Sequence, residues 1–277
     1  MKLPYSLSLT ALLALAATSN AAVNVSFDTD FNSAGSLEAN FTDGDASAYF
    51  SEQDSVGLNG SRAVFMPVTD SSTEEIWTSK SSFSLSSGET YTLGGYFFQD
   101  GSASDGFGAL SFSANSSNDS TPGQAFTTGN SSIGIAFYGL GYTFESVDAS
   151  GTVSRGTTNF RSWGASRIDD AWNYVEFSLV YLGGDDFQVS AISYDAAADG
   201  SLSTSYTSDT QAFTNSDLAD ATTVYAAFGS RGNRYEVFDT SPIPEPSAYA
   251  LLLGFVAFGL ISTLRRPHLR RELRDIV

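Results

Sequence analysis

Short alternations of apolar and polar residues run through most of the chain, from residue 23 to residue 239. Clusters of Gly, Ser, Asn and Asp separate them, and no stretch keeps a helical period for three turns. A period of two places successive side chains on opposite faces of a strand, so the pattern predicts an all-β fold. The shorter predicted strands lie at 23–27, 48–50, 62–66, 82–85, 90–98, 108–114, 132–138, 142–147, 222–228 and 235–238.

The clearest unit is a long hairpin at residues 172–195. A Gly-Gly-Asp-Asp turn at 183–186 separates its two alternating strands. Residues two apart on a strand share a face, which predicts that one face of the hairpin is buried. The residues expected on that face are Val175, Phe177, Leu179 and Tyr181, followed by Phe187, Val189 and Ala191.

About a dozen strands in one domain-length block favour a two-sheet sandwich of the jelly-roll type with one shared core. No Pro-rich or low-complexity linker divides residues 23–240, so we predict a single β-sandwich domain at 22–240, with a surface loop at 115–130. An immunoglobulin-like sandwich, or a pair of them, is the alternative fold.

The order of the late elements resembles the concanavalin A-like lectin and glucanase superfamily. It consists of the hairpin at 172–195, the strand at 222–228 and the closing Tyr-Glu-Val-Phe-Asp at 235–239. The resemblance covers most of residues 22–240. It implies a sandwich that binds or cleaves glycans and whose first and last strands are neighbours.

The N-terminus has the order of a secretory signal peptide. Met1 and Lys2 precede an apolar stretch at 7–17, and the small residues Ser19 and Ala21 follow it. We predict a signal peptide at 1–21, cleaved after Ala21 or Ala22. The apolar stretch is too short to span a bilayer.

The C-terminal region combines Ile-Pro-Glu-Pro at 243–246, an uncharged run at 247–264, and arginines that follow at once. A helix over 247–264 rises about 27 Å, close to the ~30 Å hydrocarbon thickness of a bilayer. We therefore predict a single transmembrane helix there. The arginines place the C-terminus on the cytoplasmic side.

This order is similar to the PEP-CTERM sorting signal of bacterial surface proteins, carried by Pro244, Glu245, Pro246, Arg265 and Arg266. The resemblance implies that residues 241–277 are recognised by an exosortase-type membrane protease. That protease would remove the helix and pass the exported domain to the cell surface or extracellular matrix. The chain departs from the usual pattern by continuing to Val277, and a plain anchor that is never cleaved is the alternative.

Charge and composition exclude several kinds of ligand and catalytic site. The net charge is −18, and because five of the 13 basic residues follow the apolar run, the exported part is strongly acidic. Such a surface repels nucleic acid, and suits divalent cations or neutral glycans. The chain has no cysteine, and its only histidine, His268, lies in the tail. The exported part therefore has no disulfide, no Ser-His-Asp triad and no histidine-based zinc site.

Catalysis by a carboxylate pair is not predicted. Retaining glycosidases need two carboxyl groups about 5 to 5.5 Å apart, and the superfamily supplies them from a Glu-x-Asp-x-x-Glu strand. The nearest match here, Glu52 and Asp54, is followed by Gly57 where the second Glu is required, and the adjacent Glu74 and Glu75 point to opposite faces. A glycan-degrading enzyme with an unrecognised carboxylate pair stays an alternative.

Two residues are candidates for sugar binding. Ser-Asp-Gly-Phe-Gly at 104–108, with the glycines at 123–129 and the strand at 133–137, is loosely similar to legume-type lectins. In those proteins an Asp-Gly turn holds a sugar hydroxyl, which points to Asp105; a simple chain reversal is the alternative. Among the tryptophans considered as stacking platforms, Trp77, Trp163 and Trp172, the Gly-containing polar stretch around Trp163 makes it the expected exposed ring.

Calcium is the one cofactor considered. Asp28 or Asp30 would meet Asp239 at a structural ion if the first and last strands are neighbours, because calcium takes oxygen ligands. Ordinary solvated turn carboxylates are the alternative. The function expected from the sequence is thus a non-catalytic surface protein that binds or organises exopolysaccharide, with an enzyme or a purely structural surface protein as alternatives.

Overall fold

A computed structural model of the chain describes residues 22–25, 27, 31–43, 50–66, 74–99, 106–116, 131–138, 141–156, 171–232 and 235–240. The predicted signal peptide and the whole C-terminal region from residue 241 lie outside these residues. Within the described ranges, no helix is long and apolar enough to cross a bilayer.

The described residues are mostly β-strands, which confirms the all-β prediction. Two short helices, α1 (Ser36–Asn40) and α2 (Ser216–Ala219), and a 3₁₀ turn at Leu58–Gly60 accompany them. In chain order the strands are β1 (Val23–Asn24), β2 (Phe41–Asp43), β3 (Ser51–Gln53), β4 (Ala63–Phe65), β5 (Glu74–Phe83), β6 (Thr90–Gln99), β7 (Gly106–Ser113), β8 (Ser132–Tyr138), β9 (Gly141–Val147), β10 (Val153–Arg155), β11 (Ala171–Gly183), β12 (Asp186–Ala196), β13 (Leu202–Thr207), β14 (Gln211–Thr214), β15 (Val224–Gly232) and β16 (Tyr235–Asp239).

The strands form two sheets. Sheet A has the order β13-β12-β11-β6-β16-β4-β3, with β14 beside β12 and β1 beside β6. Sheet B has the order β10-β9-β8-β7-β15-β5-β2. All neighbours are antiparallel except β1, which runs parallel to β6. Two antiparallel sheets with this many crossovers are consistent with a jelly-roll sandwich.

One apolar core lies between the sheets and draws side chains from both. Phe177 of sheet A packs against Phe112 of sheet B with ring centroids 5.7 Å apart, and Phe228 stacks on Phe238 at 4.1 Å. The predicted hairpin is present as β11 and β12. Its predicted face is buried in this core, except that Tyr181 is only partly buried against it.

Several strand predictions need correction. Only residues 82 and 83 of the strand predicted at 82–85 are in a strand, the end of the longer β5, whose alternation is hidden by Glu74, Glu75 and Lys80. Phe50, predicted within a strand, precedes β3 instead. Strands β13 and β14 were not predicted, because they lie at a sheet edge and carry mostly polar residues.

The first and last strands both lie beside β6. One edge of β6 is paired along its whole length with β11. The other edge of β6 is shared, with β1 paired at Tyr91 and Thr92 and β16 paired from Tyr96 to Gln99. The end of β16 is held by Asp239, whose buried carboxylate accepts hydrogen bonds from the Leu58 amide (2.9 Å) and the Ser61 hydroxyl (3.1 Å).

Candidate functional site

Three tyrosines form a row on the outer face of sheet A. Because Val175 and Phe177 of β11 point into the core, Tyr174 points outward, and the register places it beside Tyr96 of β6 and Tyr194 of β12. The ring centroids of Tyr174 and Tyr96 are 4.8 Å apart, and those of Tyr174 and Tyr194 are 6.1 Å apart. Tyr174 and Tyr194 are half-buried, so part of each side chain reaches solvent.

A carboxylate and a row of hydroxyls continue this face along the strands. Glu176 lies two residues after Tyr174 on the same face, between Gly94 of β6 and Ile192 of β12. The next outward row consists of Ser190, Ser178 and Thr92. We call this surface the aromatic face, and its members are Tyr96, Tyr174, Tyr194, Glu176, Ser178, Ser190 and Thr92.

Gly94 makes room for the central tyrosine. A Cβ placed at Gly94 would lie 2.2 Å from the Tyr174 hydroxyl oxygen, so the tyrosine side chain extends across the glycine. The next residue, Gly95, faces the core, where a Cβ would lie 2.3 Å from the Phe238 ring. The Gly-Gly pair of β6 thus admits one aromatic side chain on each face of the sheet.

Burial shifts the ionisation of this face. It raises the pKa of Tyr174, and the negative charge of Glu176 and the neighbouring tyrosines raise it further. Burial and the nearby Asp239 raise the pKa of Tyr96 to about 12. Burial also raises the pKa of Glu176. Tyr174 and Tyr96 therefore stay protonated at neutral pH, and their hydroxyls can donate hydrogen bonds.

One end of the aromatic face is closed by two loops. The Tyr96 hydroxyl donates to the Gly200 carbonyl at 3.0 Å, and Tyr96 is buried. Tyr96, Leu58 and Trp172 belong to a small apolar cluster outside the main core, which we call the satellite cluster. In it Trp172 packs edge-on against Phe98, with ring centroids 5.5 Å apart. The accessible part of the face is therefore the region around Tyr174, Tyr194 and Glu176.

The outer face of sheet B has a different character. Most of its outward residues are small and buried, with the half-buried Tyr225 as a larger exception. We call it the small-residue face; its small members include Ala109, Ser111, Ser113, Ser132, Ala136, Ala227 and Thr78. At one side of it the buried Glu145 accepts a hydrogen bond from the Arg155 guanidinium at 2.9 Å. This face presents neither an accessible aromatic row nor an accessible carboxylate among the described residues.

Most residues predicted to form a functional site lie outside the described ranges. This holds for Asp105 and Trp163, for Asp28 and Asp30, and for the sorting residues Pro244, Glu245, Pro246, Arg265 and Arg266. The sugar-binding, calcium and sorting predictions at these positions stay predictions. Asp239 is described, and its carboxylate is held by Leu58 and Ser61. The described residues include no group of three potential metal ligands.

Two tryptophans considered as exposed platforms are buried. Trp77 lies in the main core, because it falls on the inward face of β5, and it is corrected to a core residue. Trp172 points outward but is covered in the satellite cluster.

The carboxylates closest to a catalytic pattern have structural partners. Glu52 accepts hydrogen bonds from the Gly35 and Leu37 amides, both at 2.6 Å, and so caps the N-terminus of α1. Arg62 bridges Glu52 (3.3 Å) and Asp54 (2.5 Å). This arrangement holds α1 against β3.

Sequence reasoning missed the aromatic face, although one signal for it was present. Tyr174 and Glu176 alternate with the residues predicted to be inward, so they were already implied to be outward. The alignment of Tyr174 with Tyr96 and Tyr194 depends on strand register, which the sequence does not display.

Comparisons with known proteins return structural likenesses only. The chain is similar to a legume lectin-like domain from Entamoeba histolytica, at 9% identity and a TM-score of 0.40, over 73% of this chain and 90% of that one. It is similar to a lectin from Bauhinia forficata in complex with GalNAc, at 12% identity and a TM-score of 0.40, over 72% and 88% of the two chains. It is also similar to an endo-β-1,4-glucuronan lyase from the fungus Trichoderma reesei, at 12% identity and a TM-score of 0.37, over 73% and 94%. No protein-family model and no curated protein matches the sequence.

Proposed function

We propose that this protein is a non-catalytic, concanavalin A-like β-sandwich that binds or organises exopolysaccharide through its aromatic face. The observation that carries the proposal is the outward row of Tyr194, Tyr174 and Tyr96 with Glu176 beside it. Large aromatic side chains on the outer face of a sheet do not fill the core between the sheets, and a half-buried tyrosine presents an apolar ring with a polar tip.

The chemistry of the face suits a sugar. The C–H face of a pyranose ring packs on an aromatic ring, and its hydroxyls need both donors and acceptors nearby. Tyr174 and Tyr194 offer ring surface and hydroxyl groups. Glu176 offers a strong acceptor, and Ser178 and Thr92 offer hydroxyls on the next row.

The terminal segments support a proposal about location. We propose that the signal peptide at 1–21 exports the chain, and that the helix at 247–264 holds the precursor in the inner membrane. An exosortase-type membrane protease then recognises Pro244, Glu245 and Pro246, and the domain reaches the cell surface or extracellular matrix.

Glycan binding is tested with the full chain purified in a mild detergent. A glycan array identifies a bound glycan, and titration then compares wild type with Tyr174→Ala and Tyr194→Ala. We expect each variant to bind at least about tenfold more weakly, which corresponds to about 1.4 kcal/mol. Tyr225→Ala is the matched control, because Tyr225 is a half-buried tyrosine on the outer face of sheet B.

Three outcomes would contradict the binding proposal. If no glycan bound, a purely structural surface protein would be the better account. If a reducing-sugar assay detected release of sugar from the bound glycan, the protein would be an enzyme. Equal losses in Tyr174→Ala and Tyr225→Ala would refute the aromatic face as the binding site.

The sorting proposal has a separate test in the native host. Glu245→Ala should leave a larger precursor in the membrane fraction, because the recognised motif is altered. If the mature size and location stayed unchanged, plain anchoring would replace sorting.

A further inference from the structure

We infer that the aromatic face accepts uncharged or amino-bearing glycans and rejects polyuronates. This inference rests on the proposed function and adds the chemical class of the ligand. Its basis is the placement of one carboxylate, Glu176, beside the accessible tyrosines on a face without a described cation.

The accessible charge of the face comes from Glu176, because the Asp239 carboxylate near Tyr96 is fully buried and accepts hydrogen bonds from Leu58 and Ser61. It lies between Gly94 and Ile192, which carry no charge, and the next row holds only the hydroxyls of Ser190, Ser178 and Thr92. No described residue forms an ion pair with the Glu176 carboxylate, and burial alone, without a hydrogen-bond partner, shifts its pKa. Its acceptor capacity is therefore available to a ligand.

The basic side chains that the structure describes all have ion-pair or hydrogen-bond partners away from the aromatic face. Arg62 pairs with Glu52 and Asp54 beside the edge strand β3. Arg155 pairs with Glu145 on sheet B. Lys80 of β5, also in sheet B, donates to the Glu38 carbonyl at 2.5 Å. None of the three lies on the outer face of β11, β12 or β6.

A polyuronate would therefore bring one carboxylate per sugar to a face that has a carboxylate and no described cation. Like charges at close range repel, and partial burial of Glu176 reduces the screening of that repulsion. The net charge of −18 adds a long-range repulsion in the same direction. A neutral sugar hydroxyl instead donates to Glu176, and an ammonium group donates a charge-assisted hydrogen bond.

The repulsion requires the ionised form of Glu176, and because burial raises the pKa of this carboxyl, the repulsion should grow as the pH rises. The charge of Glu176 acts on its neighbour Tyr174, and because burial and this charge raise the pKa of Tyr174, its hydroxyl remains neutral. The short-range repulsion of a uronate therefore comes from Glu176, the accessible carboxylate of the described face. An isosteric Glu176→Gln substitution removes that charge without changing the shape of the face.

The experiment uses the full chain and glycans of equal length that differ in charge. A cello-oligosaccharide is compared with its C6-oxidised counterpart, and a chitosan oligosaccharide with its N-acetylated counterpart, in a low-salt buffer at neutral pH, because the raised pKa of Glu176 favours its neutral form in acid. We expect the oxidised oligosaccharide to bind at least about tenfold more weakly than the neutral one. In Glu176→Gln this ratio should fall to within about threefold, and any preference for the amino sugar should be lost.

Glu38→Gln is the matched control, because Glu38 is an exposed carboxylate on α1 beside sheet B. It should leave both ratios unchanged, and near-UV circular dichroism should show that both variants keep the wild-type fold. If the oxidised and neutral glycans bound equally, and Glu176→Gln changed neither ratio, the ligand class would be wrong while the proposed function stood. If none of the probes or array glycans bound, the proposed function would fall, and this inference with it.

Discussion

The outer faces of the two sheets differ in the size and the exposure of their side chains. Sheet A presents Tyr174, Tyr194 and Glu176 side by side, all half-buried, whereas sheet B presents mostly small, fully buried residues such as Ala136 and Ser111, with Tyr225 as a half-buried exception. Both sheets contribute large aromatic residues to the same core, so the difference is confined to the outward positions.

The difference in side-chain size and exposure suits one outer face to close packing and the other to binding a ligand. Small, buried outward residues allow other groups to approach closely, so that even a small increase in side-chain volume is poorly tolerated. Large half-exposed aromatic residues add apolar surface where the core does not need it, which is a property of binding surfaces. The same period of two in the sequence therefore produces one face suited to packing and one suited to a ligand.

The two outward glutamates give the first way to sharpen the comparison. Glu145 on sheet B is fully buried and paired with Arg155, so Arg155→Met should lower the free energy of unfolding by about 1.5–3 kcal/mol through loss of a charged hydrogen bond. Urea denaturation measures this change. The double variant Glu145→Gln with Arg155→Met should recover part of the loss, and a single-variant effect below about 0.5 kcal/mol would show that the pair does not stabilise sheet B.

A larger side chain should destabilise the protein more on the small-residue face than on the aromatic face. Ala136→Leu on the small-residue face inserts atoms into a fully buried site and should cost about 1–3 kcal/mol. Ser178→Leu, at a half-buried position of the aromatic face, should change stability by no more than about 0.5 kcal/mol. Equal costs in urea denaturation would remove the distinction between the faces.

Gly94 tests whether the position of Tyr174 matters for binding. Gly94→Ala should make the whole Tyr174 ring rotate away, because the added Cβ would lie 2.2 Å from its hydroxyl oxygen and 2.8 Å from the ring carbon Cζ. Glycan affinity should fall about threefold or more in the same titration used for Tyr174→Ala. A variant that binds as the wild type does would show that the tyrosine is not held in place by the glycine.

The pH dependence of stability should single out Glu176. Because burial raises its pKa in the folded state, the native protein holds this proton more tightly than the unfolded chain does. Stability should therefore fall as the pH rises from about 4.3, the ordinary pKa of glutamate, through the higher folded pKa. Glu176→Gln should remove this fall, so that the variant gains stability relative to wild type as the pH rises.

Thermal unfolding at a series of pH values measures this effect. Asp148 and Asp199 act in the opposite direction, because hydrogen bonds from neighbouring serines lower their pKa, but both remain in the variant. Parallel stability curves for wild type and Glu176→Gln would contradict the raised pKa.

Local patterns explain what the sequence could predict. The β11–β12 hairpin was predictable because Val175, Phe177 and Leu179 alternate strictly and a Gly-Gly turn follows. Strand β5 was mostly missed because Glu74, Glu75 and Lys80 interrupt its apolar pattern. The resemblance to a sandwich superfamily came from the same local signals.

Long-range pairing explains what the sequence could not predict. The bond from the Leu58 amide to Asp239 joins residues 181 positions apart, and nothing local in either segment indicates it. The tyrosine row likewise depends on the register of β6, β11 and β12. Tyr174 could be placed on an outward face from the sequence, but its neighbours Tyr96 and Tyr194 could not.

The central claim is that the aromatic face of sheet A binds a glycan and the outer face of sheet B does not. The most direct measurement is the affinity of the full chain for an array-identified neutral glycan, in wild type, Tyr174→Ala and Tyr225→Ala. The account predicts a loss of about tenfold or more in Tyr174→Ala and less than about twofold in Tyr225→Ala. Unchanged affinity in Tyr174→Ala, with the fold intact, would contradict it.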